Sequence, residues 1–472
     1  MKKSTDLSRR EALKGLGLTS VAMALGGVSS LSAFGNSSDD LGEAILEPQV
    51  QTLNFNKPVT AIVLGAGARG NVYAGYAIKN PKELNIISVA EPLEFRINKF
   101  SKAHKIPKEQ QFVTWEHVFE RPKFADAVII TTPDALHYGP AMKALEMGYD
   151  VLLEKAIAQT WGECSDILEQ QRKTGKIVAV CHVLRYAPYF IKMKEIIDSG
   201  KIGDLVSVQH FEPVGYEHMA HSFVRGNWRN TKESSPMLLS KSCHDTDILR
   251  WMIGKPCKKV SSFGSLKLFK SKNAPVGSTE RCTDGCAVEA SCPYSALRIY
   301  ARNKTYLGHI DLKKYNYKNI VEKLKTGPYG RCVYHCDNDV VDHQIINMQF
   351  EDDITASFSM EAFTSYSGRR TRIMGTMGDI TGDMNSFTVF DFRTKEKKHW
   401  TAKDINEGMY AGQGHGGGDM RLAKDFVRAV HLQDPSVLTS TIEASMESHL
   451  IGFQAEKSRL EGGKLYHTDL DI

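Results

Sequence analysis

The 472-residue sequence contains no apolar run long enough to cross a bilayer as a mature helix. About 20 consecutive apolar residues are needed for that, and the best candidate, Leu16 to Leu25, falls well short. A strong charge of either sign is also missing. The formal net charge is +5, and much of it sits near the start, where Lys2, Lys3, Arg9, Arg10 and Lys14 outnumber Asp6 and Glu11. What remains is too evenly balanced for a nucleic-acid partner to be expected. No internal repeat and no low-complexity tract appear, and no cysteine follows the Leu16–Leu25 run closely enough to suggest a lipid anchor. The composition is that of an ordinary globular protein with room for two or three domains.

What is present at the start is an export pattern. Ser8-Arg9-Arg10-Glu11-Ala12-Leu13-Lys14 resembles a twin-arginine motif, the short apolar run follows, and Ser30-Leu31-Ser32-Ala33 offers small residues for cleavage. Residues 1–33 are therefore expected to be a signal segment handled by the twin-arginine export machinery, and residues 34–56 a polar linker. The mature protein is expected in the periplasm. That route carries folded proteins, and a periplasm holds no pool of free nicotinamide nucleotide. A nucleotide enzyme exported this way is expected to keep its cofactor tightly bound.

The most informative stretch runs from Val59 to Gly70. An apolar, β-branched strand leads into Gly65-Ala66-Gly67-Ala68-Arg69-Gly70, which is Gly-x-Gly-x-x-Gly. Gly65 permits a tight turn, Gly67 admits a pyrophosphate close to the backbone, and Gly70 lets the next helix pack on the strand. That helix would offer free N–H groups to phosphate. A second strand, Ile86 to Ala90, ends in Glu91, about 20 residues past the glycines, where an acid takes the ribose hydroxyl of NAD. NAD is thus the expected cofactor, with NADP left open by Arg69 and Arg96.

Strands at Val59–Leu64, Ile86–Ala90, Ala127–Thr131, Asp150–Leu153 and Ile177–Cys181 alternate with helices, which implies a parallel sheet covered on both faces. Ligands then lie beyond the carboxyl ends of the strands. Those ends carry Thr131-Thr132-Pro133 with His137, Glu154-Lys155, and His182 with Arg185-Tyr186. Asp134 is placed to cap a helix. A charged pair closing a buried strand requires an explanation, because an unpaired buried charge is costly.

These residues resemble the glucose–fructose oxidoreductase and inositol dehydrogenase family (Gfo/Idh/MocA). The resemblance rests on the glycine turn, Thr132-Pro133-x-x-x-His137, Glu154-Lys155, Arg185-Tyr186-x-Pro188 and His244-x-x-Asp247. It implies an α/β protein: a doubly wound Rossmann domain over 57–182, then an α/β domain over 183–472 with an open, mostly antiparallel sheet that commonly mediates homo-oligomers. It also implies that Lys155 holds the reacting hydroxyl, that His244 exchanges its proton, and that Glu154 orients Lys155. Arg185 and Tyr186 would position nicotinamide or substrate. Two departures stand out: Ala156 replaces the proline usual after Glu-Lys, and Ser240 replaces the aspartate usual four residues before the histidine.

A single helix is expected from Ser234 to Trp251, with Lys241, His244 and Asp245 on one face as substrate residues. Lys241 would bind sugar hydroxyls or share the base role, and Asp247 would hold the His244 ring. Cys282-x3-Cys286-x5-Cys292 and Cys332-x2-His335-Cys336 form two clusters in a cysteine-rich insert spanning 257–336. Disulfides, a structural zinc site, an iron–sulfur cluster and free thiols all remain open there. Strands are expected at Ile354–Met360, Thr371–Met374 and Phe387–Phe392, with turns at Gly378-Asp379 and Gly382. His415, in a glycine-rich segment, either reaches the cleft or belongs to a hinge.

The function expected is hydride transfer between a sugar or glycoside hydroxyl, for instance at C3, and NAD. Two rivals stand beside it: an NAD-dependent glycosidase working by oxidation, elimination and reduction, and a sugar- or nucleotide-binding protein without turnover.

Overall fold

The computed structural model describes residues 53–310, 312, 314–405, 410 and 414–469. Residues 1–33, expected to be a signal segment, and nearly all of the expected linker lie outside the described residues. The first sheet is wholly parallel and contains β1 (Val59–Leu64), β2 (Leu84–Ala90), β3 (Gln111–Phe112), β4 (Ala127–Ile130), β5 (Asp150–Leu153) and β6 (Val178–Val180), in the order β3-β2-β1-β4-β5-β6. Four of its strands are buried along nearly their whole length, so the apolar runs are covered on both faces. The strand order reverses beside β1, between β2 and β4, which opens a crevice beyond their carboxyl ends. The helix Trp161–Thr174 shows how local sequence fixes an element: Thr160 and Glu163 form a reciprocal capping box, and Gly175 ends the helix in the left-handed region.

The second sheet holds nine strands: β7 (Leu205–Pro213), β8 (Cys257–Ser265), β9 (His343–Phe350), β10 (Thr355–Glu361), β11 (Arg370–Gly375), β12 (Gly378–Gly382), β13 (Ser386–Asp391), β14 (Lys397–Thr401) and β15 (Tyr466–His467). Every pairing in it is antiparallel except β7 with β10. Strict alternation of buried and exposed residues along β9 and β10 matches a sheet with one covered face.

Four expectations need correction. Gly378–Gly382 is a strand, not a pair of turns: Gly378 packs its backbone against Ile202 and Phe390, and Gly382 against Tyr189, where side chains would clash. Cys257 opens β8 within the sheet, so the insert proper runs from 266 to 342. The expected long helix is two, Met237–Ser240 and Cys243–Ile253, because the Ser240 carbonyl is taken by Lys155 Nζ. Finally, the chain after 410 does not stay with the second sheet. The helix Gly418–Leu432 packs into the core of the first domain beside β1, and Ser440 and Thr441 bond to the edge of β6.

Candidate active site

The glycine turn has the geometry its residues demand. Gly65 lies at φ +92°, and a Cβ on it would stand 2.7 Å from the Thr131 carbonyl oxygen. A Cβ on Gly70 would meet Gly65 O at 2.1 Å, so the helix Ala68–Lys79 packs on β1 as closely as backbone permits. At Gly67 a Cβ would meet only Arg96 Nη1, at 3.7 Å, and otherwise open space. Two glycines are thus required by the chain itself, and the third leaves room for a ligand. Gly67 caps the helix without a side-chain bond, so the first-turn N–H groups of Ala68, Arg69 and Gly70 are open to phosphate. This cradle fits the pyrophosphate of NAD.

The surrounding rim is braced from several sides. Glu91 accepts from Ala66 N at 2.8 Å and Leu93 N at 3.0 Å, which holds the turn and leaves lone pairs for a ribose hydroxyl. Thr131 Oγ1 donates to Gly65 O at 2.7 Å, and Thr132 Oγ1 to Leu136 O at 2.8 Å, across Pro133. His137 spans Thr132 O and Ala156 O at 2.9 and 2.6 Å, so this expected cofactor residue is a brace between two strand ends. Asp134 caps nothing with its side chain; its carboxylate accepts from Trp228 Nε1 and Ser234 Oγ.

Lys155 and His244 meet above this rim in opposite protonation states. Burial works against the Lys155 charge, yet Cys243, Glu154 and Asp134 hold its pKa above the usual lysine value. Its Nζ donates to Ser240 O at 2.5 Å. Burial, reinforced by the positive field of Lys155, drives His244 well below the ordinary histidine value, and its Nδ1 is buried with no partner among the described residues. The Lys155–Ala156 peptide is cis. Glu154 holds Lys155 through the backbone N–H, at 2.8 Å, and spends its other oxygen on Arg69 Nε and Tyr73 OH. Burial raises its pKa, but Arg69 and Lys155 outweigh that and keep it charged. His182 lies behind, its ring 6.2 Å from His244 and likewise driven neutral by burial and by Arg185.

Several expected ligands are committed to the fold. Arg185 grips Asp247 with two hydrogen bonds, at 2.8 and 2.6 Å, and donates also to the carbonyls of Thr439 and Ala444. Asp247 therefore does not hold the His244 ring, and all three guanidinium nitrogens of Arg185 are engaged within the chain. The Tyr186 hydroxyl is buried against Ser440 and the amide of Thr439. Asp245 is wholly buried between Arg369 and His210; burial opposes its charge, but those two partners hold it below the usual carboxylate value. It cannot touch substrate. Lys241 lies 3.2 Å from Glu212 Oε1 in an ion pair, which removes the reason for a share in the base role and leaves it half-buried at the substrate side.

One group escaped the sequence reading. Asp419 takes Arg69 Nη2 at 2.9 Å and His415 Nδ1 at 2.9 Å, so the C-terminal segment is clasped onto the glycine turn. Arg69, expected at the cofactor, thus reaches across the turn to Glu154 and Asp419. His415, left open before, reaches the cleft: its ring stands 5.8 Å from that of His244. The pairs Arg69–Asp419 and His244–His415 join residues far apart in sequence, and no local signal announces them. The clustered cysteines of the insert lie elsewhere, with Cys282, Cys286, Cys292 and Cys332 around one small cavity. All nine cysteines of the chain are free thiols, so the disulfides entertained from sequence are not formed.

Residues 59–182 match the family model described as "Oxidoreductase family, NAD-binding Rossmann fold", and 194–465 match its C-terminal alpha/beta domain. The chain belongs to the Gfo/Idh/MocA oxidoreductase family. Among curated relatives, the "Putative oxidoreductase YteT" of Bacillus subtilis (strain 168) is 26% identical over 71% of this chain and 80% of its own length. The "scyllo-inositol 2-dehydrogenase (NAD(+))" of the same organism is 28% identical over 44% of this chain and 58% of its own length. A solved levoglucosan dehydrogenase, in complex with NADH and levoglucosan, superposes with a TM-score of 0.64 over 88% of this chain and all of that one, at 16% identity. The protein is thus an NAD-binding oxidoreductase of this family.

Proposed function

We propose that the chain is an NAD-dependent dehydrogenase of a sugar or glycoside, oxidising a secondary ring hydroxyl with C3 of a pyranoside as the reacting carbon. The observation that carries this reading is the protonation split between Lys155 and His244. An alcohol oxidation needs a donor that stabilises oxygen as it becomes anionic and a neutral base that accepts its proton. A buried ammonium beside a neutral imidazole supplies both at neutral pH. Lys155 donates to the reacting oxygen, and His244 takes the proton through a ring nitrogen. In the reverse direction His244 returns it. Lys241 and Glu212 offer hydrogen bonds to neighbouring hydroxyls. Bound NAD supplies the hydride acceptor, chemistry that belongs to the cofactor. Support comes also from relatives named for inositol and levoglucosan, both polyhydroxylated rings. The test is a panel of sugars and glycosides followed at the nicotinamide absorbance band, with wild type and His244→Ala. Equal turnover by both would sink the assignment.

A second reading has its own observation. Dehydrogenation needs one base, whereas this cleft carries two histidine rings 5.8 Å apart. A glycosidase working by oxidation, elimination and reduction needs a further base for the carbon next to the keto group, and His415 is placed for it. Solvent deuterium entering C2 of the released sugar, with free aglycone and no added oxidant, would favour this route. Accumulating keto-sugar would favour the dehydrogenase.

Three finer points belong to the same proposal. The cofactor is retained through catalysis, supported by the Arg69–Asp419 clasp over the turn and by the export pattern at Arg9-Arg10; NAD(H) surviving gel filtration checks it. The protein reaches the periplasm by the twin-arginine machinery, which fractionation of wild type and an Arg9→Lys/Arg10→Lys double variant checks. It is a homo-oligomer formed through the open face of the second sheet, where Phe263 and Ile345 face each other exposed across β8 and β9. A monomeric mass by light scattering would overturn that.

A further inference from the structure

The insert between β8 and β9 buries a cation with no carboxylate. Arg225 is 1% exposed. Its Nε donates to Arg331 O at 2.6 Å, and Nη2 to Tyr294 O at 2.7 Å and to Cys282 Sγ at 3.8 Å. Its Nη1 is buried with no partner, and no carboxylate pairs with it among the described residues. An unpaired charge in such a place costs several kcal/mol. The groups around it that can carry negative charge are thiols, Cys282, Cys332 and Cys336, and the Tyr300 hydroxyl. Arg225 shares the wall of a small cavity with Cys282, Cys286, Cys292 and Cys332.

We propose that these four cysteines bind one structural zinc ion, with Arg225 as the counter-cation. Four thiols give up their protons to solvent as four Zn–S bonds form, and no electron is transferred. The product is a tetrathiolate of net charge −2 against which Arg225 is compensated. The cavity, at about 10 Å3, has room for roughly one water-sized sphere. That suits a single ion. Among the described residues no three ligating side chains already converge on one point, so the thiols must turn about χ1 into the shared cavity. Cys336 is excluded from the set: it lies outside the cavity wall and its thiol donates to Cys332 O at 3.2 Å. Two short loops, 282–292 and 330–336, would then be pinned to each other and to Arg225.

The full chain, purified without chelator, should carry about one zinc per chain by atomic emission. All nine cysteines should titrate as thiols once it is denatured in chelator. Cobalt substitution should give the visible d–d bands and the thiolate charge-transfer band of tetrahedral sulfur coordination. Cys282→Ser and Cys332→Ser should lose the metal, and Cys336→Ser should keep it. Retention of zinc by the first two, or its loss from the third, would overturn the ligand set. Four fewer titratable thiols without metal would mean disulfides, and acid-labile sulfide would mean a cluster; either ends the proposal. So does a metal-free wild type with nine free thiols. The wild-type measurements decide the matter even if a serine variant fails to fold.

Discussion

Two polar clusters lie side by side under the same rim, and they differ in how fully their hydrogen bonds are used. Arg185 and Asp247 form a closed set: each charged group faces its opposite, and backbone carbonyls engage Nη1 and the second hydrogen of Nη2. Lys155 and His244 form an open one, with a cation and a neutral ring kept close and Nδ1 of His244 left without a partner. Both clusters are buried and both hold residues expected at the site. The closed one ties the segment after β6 to the helix Cys243–Ile253 and to residues 439 and 444. The open one retains capacity for something that is not part of the chain, and that distinguishes a site from a scaffold.

Substitution can break this contrast. The largest effect should follow from His244→Ala, which lowers kcat by about 10²–10⁴-fold, the usual range for a general base; thermal unfolding and NAD content should stay near those of wild type. Next, Arg185→Met should cost about 3–5 kcal/mol of stability by stranding the Asp247 carboxylate, read by denaturant unfolding. If it instead left stability intact and lowered kcat, the two clusters would exchange roles.

The third expectation concerns pH. Burial holds His182 and His244 well below the ordinary histidine value of 6.5, and His449 is pushed down to about 3. Below pH 6.5 the unfolded chain binds protons that the folded chain refuses, so stability falls as pH drops. Each such histidine contributes up to about 1.4 kcal/mol per pH unit. Unfolding curves between pH 7 and pH 5 should show the fall, and His449→Gln should make it shallower. The acid limb of kcat/KM should lie below 6.5 for the same reason. The smallest effect, about 1 kcal/mol, is expected for Thr160→Ala, which removes a capping box whose bonds stay within the start of the helix Trp161–Thr174 and should leave turnover unchanged.

Most of the NAD domain was legible because its signals are local. The β-branched run before Gly65, the acid after the second strand and the Glu154-Lys155 strand end each sit within a few residues of what they determine. The second sheet was harder. Glycines at 378 and 382 read as turns, since nothing in the neighbouring sequence shows that Ile202 and Tyr189 crowd the backbone there. The helix break after Ser240 was invisible for a related reason: the group that takes its carbonyl comes from Lys155, on another domain. Arg185 and Asp245 were assigned to ligands because a charged residue near a strand end looks the same whether its partner is a substrate or another side chain. Only the distances separate the cases.

The return of the chain after residue 410 also sets an order of events during synthesis. Val180 at the sheet edge is bonded by Ser440, and Arg69 by Asp419, so both wait for residues made some 260 and 350 positions later. At ~5–20 residues per second, the nucleotide cradle stays incomplete for tens of seconds after its own strands have left the ribosome. Cofactor loading, on this schedule, follows synthesis of the segment that carries Asp419 and Ser440.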